Sequence, residues 1–370
     1  MTFPPLGIVI AGGGTGGHLN PGIAIAQEFM ERNQGNRLLF IGTNRPLEVS
    51  LLAKAGFEHR WITAAGIKGL GIRKQAGSFL KIPRGIVESI LMLKRFKPDL
   101  AVGVGGYSAG PVVLGAWLLG IRTVFHEQNF LTGMTNRMLA PFVDRIYVSF
   151  EKTAADFNRK KVRVTGNPVR SEVLALVEDN RSLEAPRTRC FTVFITGGSQ
   201  GAHGINQAVM QALEHIDHPD DFYFIHQTGS EDEAMVADAY RRRGIPGLVQ
   251  SFFDDMAAQY HRADLVVCRA GATTIAEVTT IGKAVFFVPL PSAADQHQVL
   301  NARMLKDRGA ADMILEEELS GKLLMGKIQY YASNRDALDA MAMKARAFGR
   351  PAAAADIVDD CYRLLHPING

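Results

Sequence analysis

The sequence contains little cysteine, no long apolar run and no leader-like start. Its three cysteines, Cys190, Cys268 and Cys361, are too few and too far apart for a disulfide framework or a cysteine-based metal cluster. The longest apolar stretch, around residues 112–121, is about half as long as a membrane-spanning helix requires. The first residues lack a basic segment followed by a cleavable apolar one, so we expect no signal peptide. These absences predict a cytoplasmic protein.

The residues that are present have the balance of a soluble globular protein. Hydrophobic residues make up 47% of the 370 and charged residues 21%, and a chain of this length can form two domains. Charge is unevenly placed: residues 1–165 contain 21 Lys and Arg against 10 Asp and Glu (+11), and residues 166–370 contain 20 against 27 (−7). A basic half followed by an acidic half predicts two domains with different partners.

Short apolar runs alternate with helical patterns in both halves, which predicts the α/β class with parallel sheets. We predict strands at residues 7–11, 37–42, 100–104, 123–126, 145–148 and 162–165, and again at 191–196, 223–227, 248–251, 265–268 and 284–288. The predicted architecture is two Rossmann-like domains facing a cleft. Their bounds are 1–166 and 190–340, with a polar linker at 167–189 and helices at 341–370 that we expect to pack back on the first domain.

A strand, a glycine turn, a histidine and a helical start occur twice, 185 residues apart. Residues 8–26 read IVIAGGGTGGHLNPGIAIA and residues 193–209 read VFITGGSQGAHGINQAV. Glycines let backbone N–H groups approach an anion closely, and the N-terminus of the following helix adds partial positive charge. In the first copy, Asn20 and Pro21 predict that the helix begins at Pro21. The repeat predicts a phosphate site at one turn or both.

The first turn departs from two better-known phosphate motifs. Gly12, Gly14 and Gly17 have the spacing of the dinucleotide fingerprint, but the second strand ends in residues 40–44, FIGTN, without a carboxylate to hold a ribose. His18 stands where a Walker motif has lysine. Nicotinamide, flavin and P-loop enzymes are therefore disfavoured.

Polar groups follow five other predicted strands, at the strand ends where α/β proteins bind ligands. They are the segments GGYS (105–108), HEQN (126–129), GNPVR (166–170), RAGATTIAE (269–277) and DQHQ (295–298). One polar group after a strand usually caps a helix or lies on the surface. Five sets at equivalent strand ends predict a ligand site.

In this order the motifs GGGTGGH, GVGGYSAGP, HEQN, GNPVR, GGSQGA, CRAGATTIAE and DQHQ resemble the MurG family of GT-B glycosyltransferases, from about residue 8 to residue 305. The resemblance implies a GT-B fold and an inverting transfer in peptidoglycan synthesis. The 4-hydroxyl of the muramic acid of lipid I attacks the anomeric carbon of UDP-N-acetylglucosamine, giving lipid II and UDP. It also implies no cofactor and no bound metal. The sequence has no Asp-x-Asp pair, and we expect Asp254-Asp255 to cap the next helix.

Matched motif by motif, the resemblance places UDP-N-acetylglucosamine mostly in the second domain. Ser199 matches a serine that contacts the diphosphate, and Glu277 matches the acid that holds the ribose. Gln298 matches a glutamine that reaches the sugar, and the main chain of Phe253 would meet uracil. The other donor-site positions are Asn206, Ala272, Thr273 and Thr274 in the second domain, and Thr15, Gly16, Gly17, Asn129 and Arg170 on the opposite wall of the cleft. Gly105, Gly106 and Tyr107 belong to the acceptor side. Phe253, Thr273 and Ala276 replace isoleucine, leucine and serine of the family, and the 290–295 loop is one residue longer; these changes bear on the fit of the donor.

An attacking hydroxyl needs a base with a pKa near neutrality. Three candidates are open: His18, which the family favours, and the adjacent pair His126 and Glu127. His203 stands at the corresponding position of the second turn, where the family has arginine. We expect it to cap the helix or contact a phosphate, and not to act as a base.

A basic and apolar segment of the first domain predicts docking on a membrane. Residues 68–97 contain eight basic residues and one acid, Glu88, mixed with apolar residues. Residues 86–96 read as an ordinary amphipathic helix, whereas residues 72–84 fit a surface that rests on anionic headgroups. The proposed contacts are Arg73, Lys74, Phe79, Leu80, Lys81 and Arg84. Nucleic acid is disfavoured as a partner because no recognition motif accompanies the charge.

The resemblance also implies a location at the cytoplasmic face of the inner membrane, protein partners in cell-wall synthesis, and a role in cell shape and division. Two rival classes remain. One is another GT-B enzyme that uses a nucleotide sugar, including the UDP-N-acetylglucosamine 2-epimerases, and the other is a dinucleotide oxidoreductase. HEQN, GNPVR and the basic segment favour the lipid I transferase over the other GT-B enzymes, and the missing carboxylate after the second strand argues against the oxidoreductase.

Overall fold

The structure, a computed structural model, describes residues 4–14, 16–64, 72–178, 190–291 and 296–367, with the backbone alone for 72–81. The chain divides into two compact units, Met1–Arg170 with Arg350–Gly370, and Ser171–Gly349. The chain therefore enters the second unit at Ser171 and leaves it at Gly349, whereas the sequence predicted the return at residues 340–341.

The described part of the first unit contains a parallel sheet of seven strands in the order β3-β2-β1-β4-β5-β6-β7. The strands are β1 (Gly7–Ala11), β2 (Arg37–Gly42), β3 (Glu58–Trp61), β4 (Leu100–Gly103), β5 (Arg122–Glu127), β6 (Arg145–Val148) and β7 (Val162–Val164). Strand β1 is buried along its whole length, since helices cover both faces of the sheet. Because β1 lies between β2 and β4, the strand order reverses at its carboxyl end, where such sheets bind ligands.

The helices of this unit lie on the two faces of the sheet. They are α1 (Gly16–Arg32), α2 (Pro46–Lys54), α3 (Ile72–Phe96), α4 (Ala109–Leu118), α5 (Met134–Leu139) and α6 (Glu151–Ala154). Ile8 and Ile10 of β1 pack into the core beneath α1, and Val9 and Ala11 pack into the core beneath α3 and α4. Alternate side chains of β1 thus pack into two different apolar cores.

The prediction that α1 begins at Pro21 is wrong. The helix begins at Gly16, so Pro21 lies inside it, in the second turn. Proline lacks an N–H, so the helix forgoes the bond that position 21 would otherwise make to the carbonyl of Gly17, four positions back. Glycine has a low helix propensity, which is why the sequence pattern concealed the first turn.

The second unit repeats the plan with a parallel sheet in the order β10-β9-β8-β11-β12-β13. Its described strands are β8 (Phe191–Thr196), β9 (Phe222–Gln227), β10 (Gly247–Gln250), β11 (Leu265–Cys268), β12 (Ala284–Phe287) and β13 (Asp312–Met313). Counted from the first strand of each unit, both sheets share the order 3-2-1-4-5-6, and β8 corresponds to β1. The two Rossmann-like sheets predicted from the sequence are confirmed.

The described helices of the second unit are α7 (Ser171–Glu178), α8 (His203–Ala212), α9 (Glu233–Arg243), α10 (Met256–Arg262), α11 (Ala272–Ile281), α12 (His297–Lys306), α13 (Gly321–Ser333) and α14 (Arg335–Arg346). Helix α7 lies within the predicted linker and packs against α10 and α11. Val173 on its inner face is buried, so the first part of the linker belongs to the second unit.

The last helix, α15 (Ala353–Leu365), returns to the first unit and packs on α1. Its apolar face, which includes Ile357, Val358 and Cys361, joins the core that contains Phe29. The break between α14 and α15 falls at residues 347–352, which include Gly349, Arg350 and Pro351.

Candidate active site

The first glycine loop, residues 12–14, packs backbone to backbone against the loop that follows β4. Strands β1 and β4 are paired neighbours, with Ala11 opposite Gly103. A Cβ atom on Gly106 would lie 2.2 Å from the carbonyl oxygen of Gly13, so only glycine allows this approach. The glycines of the two loops bring them together at the reversal of strand order.

His18 lies in the first turn of α1 with its ring against the second loop. A Cβ atom on Gly105 would lie 2.7 Å from Cδ2 of His18. Burial lowers the pKa of His18 below the ordinary histidine value, so its ring is neutral near pH 7 and can accept a proton. Gly16 and Gly17 begin the same helix, and Thr15 lies outside the described residues. Tyr107, on the neighbouring loop, is exposed.

His126, the second candidate base, is completely buried at the end of β5. Its Nε2 lies 3.0 Å from the carbonyl oxygen of Gly166 and must donate to it, because a carbonyl only accepts. Burial lowers its pKa to about 4, and Nδ1 has no partner among the described residues. The ring joins β5 to the segment after β7, a structural role that disfavours it as the base.

Glu127, the third candidate, is also buried, and both of its oxygens are occupied. One accepts the N–H of Asn129 at 3.0 Å and lies 3.4 Å from its side-chain nitrogen. The other accepts the N–H of Gly133 and the side-chain amide of Asn136, each at 2.9 Å. A carboxylate so surrounded by donors shapes the loop at residues 129–136. Arg170 is half-buried and is the last residue before the chain enters the second unit.

The second glycine loop, residues 197–201, joins β8 to α8. A Cβ atom on Gly201 would lie 1.9 Å from the carbonyl oxygen of Thr228. This loop therefore also packs backbone to backbone, here against the segment that follows β9. Ser199 is exposed at its crest, at the N-terminal side of α8. Gln227, buried at the end of β9, donates to the carbonyl of Gly198 at 2.8 Å and accepts the N–H of Phe253 at 3.0 Å. The loop thus presents backbone and one hydroxyl where an anion could bind.

A chain of hydrogen bonds lies behind this loop and contains Asn206 and His203. Asn206 is completely buried, and its nitrogen donates to the Thr228 carbonyl at 2.9 Å and to Asp232 at 2.7 Å, while its oxygen lies 3.0 Å from Nε2 of His226. This side chain is therefore engaged within the protein rather than open to a ligand. Nδ1 of His203 lies 2.9 Å from Asp232, which makes His203 part of the same structural chain.

The pKa values in this chain follow its burial. Burial lowers the pKa of His226 to about 3, so this ring is neutral. Burial acts to raise the pKa of Asp232, but hydrogen bonds from Asn206 and His203 outweigh it, and the pKa is lowered. Sequence reasoning did not find Asp232 or His226, because they meet Asn206 only through the fold.

The other donor-site candidates gather at the carboxyl ends of β10, β11 and β12. The side chain of Phe253 is buried with its ring 6.2 Å from that of Phe194, so only its main chain can meet a ligand. Glu277, on α11, is buried and accepts the hydroxyl of Tyr260 at 3.1 Å. Gln298 accepts the N–H groups of Ala270 (3.1 Å) and Leu290 (3.0 Å) through its oxygen. Ala272, Thr273 and Thr274 form the first turn of α11, and Thr273 is buried.

Asp255 caps α10 by accepting the N–H of Ala258 at 2.9 Å, which confirms the expected capping role for this member of the Asp254-Asp255 pair. Among the described residues, no group of three or more His, Cys, Asp or Glu side chains is placed to hold a metal ion. No helix in the described ranges is long and apolar enough to cross a membrane.

The predicted membrane segment forms the N-terminal part of α3. The side chains of Arg73, Lys74, Phe79, Leu80 and Lys81 lie outside the described residues, and Arg84 is exposed. Sequence reasoning missed the exposed apolar side chains that follow on α3, α4 and α5, namely Val87, Leu91, Trp117, Leu118, Met134 and Met138. Helices α3 and α5 both pack against α4, so these side chains belong to neighbouring helices of the first unit.

Sequence reasoning also missed Glu48 on α2. This carboxylate is completely buried against the first glycine loop, where it accepts the N–H of Gly14 at 2.5 Å. The partners are 34 positions apart, so no local pattern reveals the contact.

Models of known protein families match both halves of the chain. Residues 8–148 match the glycosyltransferase family 28 N-terminal domain, and residues 192–357 match the family 28 C-terminal domain. Two curated relatives, from Syntrophus aciditrophicus (strain SB) and Myxococcus xanthus (strain DK1622), are each 44% identical over 97% of this chain, covering 98% and 93% of their own lengths. Both are named UDP-N-acetylglucosamine–N-acetylmuramyl-(pentapeptide) pyrophosphoryl-undecaprenol N-acetylglucosamine transferase.

Solved structures agree with this assignment. The crystal structure of Acinetobacter baumannii MurG is similar with a TM-score of 0.76 and 32% identity, over 96% of this chain and 98% of that one. A UDP-GlcNAc 2-epimerase from Neisseria meningitidis, bound to UDP-GlcNAc, has a TM-score of 0.68 but 13% identity, over 97% of this chain and all of that one, and so shares only the fold. The chain belongs to glycosyltransferase family 28 and, within it, to the MurG transferases.

Proposed function

We propose that this chain transfers N-acetylglucosamine from UDP-N-acetylglucosamine to the 4-hydroxyl of the muramic acid of lipid I, giving lipid II and UDP in peptidoglycan synthesis. The observation that carries this function is 44% identity with curated transferases across 97% of the chain. Similarity of that extent covers both glycine loops and every motif described above. The 2-epimerase likeness, at 13% identity, supports only a common GT-B fold.

On the donor side, the second glycine loop holds the diphosphate. Its backbone N–H groups, the N-terminus of α8 and the exposed hydroxyl of Ser199 supply donors and partial positive charge for the UDP that leaves. Glu277 accepts from the ribose hydroxyls, and the bond from Tyr260 fixes its carboxylate. Gln298 donates to the sugar through its NH2 group, because two backbone N–H groups already hold its oxygen.

On the acceptor side, His18 takes the proton of the attacking hydroxyl. The oxygen forms a bond to the anomeric carbon as the bond from that carbon to the diphosphate breaks, and the proton passes to the imidazole. A neutral ring is required, and the lowered pKa of His18 provides one. Thr15, Gly16, Gly17, Asn129 and Arg170 remain predicted donor contacts from the first unit, and Gly105, Gly106 and Tyr107 remain predicted acceptor contacts.

The test is acceptor-dependent release of UDP. Purified protein is incubated with UDP-N-acetylglucosamine and a short-chain lipid I analogue in the presence of EDTA, and UDP and the glycosylated product are measured by mass spectrometry. We expect both products in equal amounts only when the analogue is present. Formation of the 2-epimer of the sugar nucleotide without acceptor would instead identify an epimerase, and strict dependence on added metal would contradict the metal-free mechanism.

We also propose that the first unit docks on the anionic cytoplasmic face of the inner membrane as a peripheral protein. The support is the exposed apolar side chains on α3, α4 and α5, together with the excess of basic residues in residues 1–165. Such a surface combines apolar insertion with attraction to anionic headgroups. A lipid-linked acceptor makes this docking useful, because it brings the site to its substrate. Partners among other cell-wall synthesis proteins, and a role in cell shape and division, follow from the same function.

A further inference from the structure

The two glycine loops are held by groups of different charge. In the first loop, the N–H of Gly14 donates to the carboxylate of Glu48 at 2.5 Å. In the second, the neutral amide of Gln227 donates to the carbonyl of Gly198 at 2.8 Å. Glu48 lies in the first turn of α2, and Gln227 is the last residue of β9. The first loop is therefore bonded directly to a buried carboxylate and the second to an amide, while Asp232, the acid behind the second loop, accepts from Asn206 and His203 of α8.

The pocket around Glu48 is built for a carboxylate. Its oxygens also accept the N–H of Thr43 at 2.7 Å and the hydroxyl of Thr43 at 2.6 Å. A Cβ atom on Gly13 would lie 2.5 Å from one of these oxygens, and one on Gly42 would lie 2.8 Å from the other, so both positions suit only glycine. A buried carboxylate is stable only when donors satisfy it, and here three donors do so.

The Gly14 peptide is held from both sides. Its N–H binds Glu48, and its carbonyl accepts the guanidinium of Arg45 at 3.2 Å. The adjacent carbonyl of Gly13 abuts Gly106, and His18 abuts Gly105. Movement of the Gly14 peptide would therefore shift the loop that leads to His18 and the acceptor-side glycines together.

We propose that Glu48 is an internal anion of the first glycine loop: a positioning residue that fills the site a phosphate would take, excludes the donor diphosphate from that loop, and holds His18 in place. The N–H of Gly14 cannot donate to Glu48 and to a phosphate at once, and two negative groups at this distance repel each other strongly when buried. The inference rests on the proposed function, because it assigns the first loop to the acceptor and the base.

The experiment compares full-length Glu48→Ala with wild type in the lipid I analogue assay, with Glu31→Gln, an exposed carboxylate of α1, as the matched control. We expect kcat of Glu48→Ala to fall by about 10²-fold, as a misplaced catalytic group commonly costs, with KM for UDP-N-acetylglucosamine within about twofold of wild type. Added formate or acetate should restore much of kcat by filling the vacated site, and formamide or acetamide, which carry no charge, should not. Glu31→Gln should behave as wild type.

The reciprocal variant is Gln227→Glu, which places a carboxylate behind the second loop without changing side-chain size. We expect it to raise KM for UDP-N-acetylglucosamine by at least about tenfold through repulsion of the diphosphate. If Glu48→Ala does not fold, the isosteric Glu48→Gln replaces it, with a fall in kcat at unchanged donor KM as the expected result.

An unchanged kcat in the Glu48 variant, a loss confined to donor KM, or equal rescue by formate and formamide would each overturn the proposal. These outcomes are separate from failure of the proposed function, which would appear as absence of turnover by the wild-type protein itself.

Discussion

His18 and His203 stand at corresponding positions of the two glycine loops, yet they have different neighbours and therefore different roles. His18 packs on the bare backbone of Gly105 and is neutral, so it can serve as a base. His203 pairs with Asp232 in a chain of side chains that also contains Asn206 and His226. Identical residues in equivalent turns thus differ because the elements packed against them differ.

The role of His18 predicts a defined kinetic change in His18→Ala. We expect kcat to fall by about 10²–10⁴-fold, the usual contribution of a positioned base, with binding of UDP-N-acetylglucosamine retained. Burial lowers the pKa of His18, so the ring loses activity only when pH falls below that lowered value. The acid limb of the kcat/KM profile should therefore lie below the ordinary histidine range and should disappear in the variant. Collapse of donor binding, measured by calorimetry, would make His18 a donor ligand instead.

Helices α3 and α4 show how one element can serve two surfaces. Leu93 of α3 is completely buried beneath the sheet, whereas Leu91 of the same helix is 64% exposed. Trp117 and Leu118 extend the exposed apolar surface at the end of α4. A helix with apolar residues on both its inner and outer faces is typical of one that binds a second apolar phase.

For this surface we predict that Leu91→Glu weakens binding to vesicles containing anionic lipid by about tenfold or more, since it removes an apolar contact and adds a repelled charge. Turnover of a water-soluble lipid I analogue should stay at the wild-type rate, because Leu91 is outside the proposed site. Met343→Glu, at a 69% exposed position of α14 in the second unit, is the matched control. Equal vesicle sedimentation for wild type and Leu91→Glu would refute docking through this surface.

At the scale of the whole molecule, the chain builds one sheet design twice and then completes the first unit with its last helix. Ile357 of α15 is completely buried in the core that includes Phe29 of α1 and Phe40 of β2. The first unit therefore cannot complete this core until residues far along the chain are present. The second unit has its own core, in which Ile328 of α13 is buried.

This arrangement predicts that Ile357→Ala destabilises the first unit by about 2–5 kcal/mol and lowers its unfolding temperature by roughly 5–15 °C. UDP should raise the transition of the second unit, because a ligand stabilises the unit that binds it. Calorimetry with and without UDP should show that Ile357→Ala lowers the transition that UDP does not raise, while Ile328→Ala lowers the one it does. A common shift for both variants would contradict the assignment of α15 to the first unit.

Most strands were predictable from the sequence because strands covered on both faces appear as apolar runs, as in Gly7–Ala11 and Phe191–Thr196. Strands β3 and β13 were not predicted. The first reads EHRW and is largely exposed at a sheet edge, and the second has two residues, so neither carries an apolar run. Helix α7, SEVLALVE, does carry apolar residues, but it was missed because Pro168 and Pro186 led residues 167–189 to be assigned to a linker.

The features of the candidate site were likewise predictable only in part. Motif order and spacing by themselves determined the family and the two glycine turns, because those features are local along the chain. Only the tertiary structure decided which side chains remain accessible and which are engaged in hydrogen bonds within the protein. It buried His126, Glu127 and Asn206 in internal hydrogen bonds, and it placed Glu48 against Gly14. Such contacts join residues tens of positions apart, and burial, charge and hydrogen bonding act between neighbours in space, which a linear sequence does not specify.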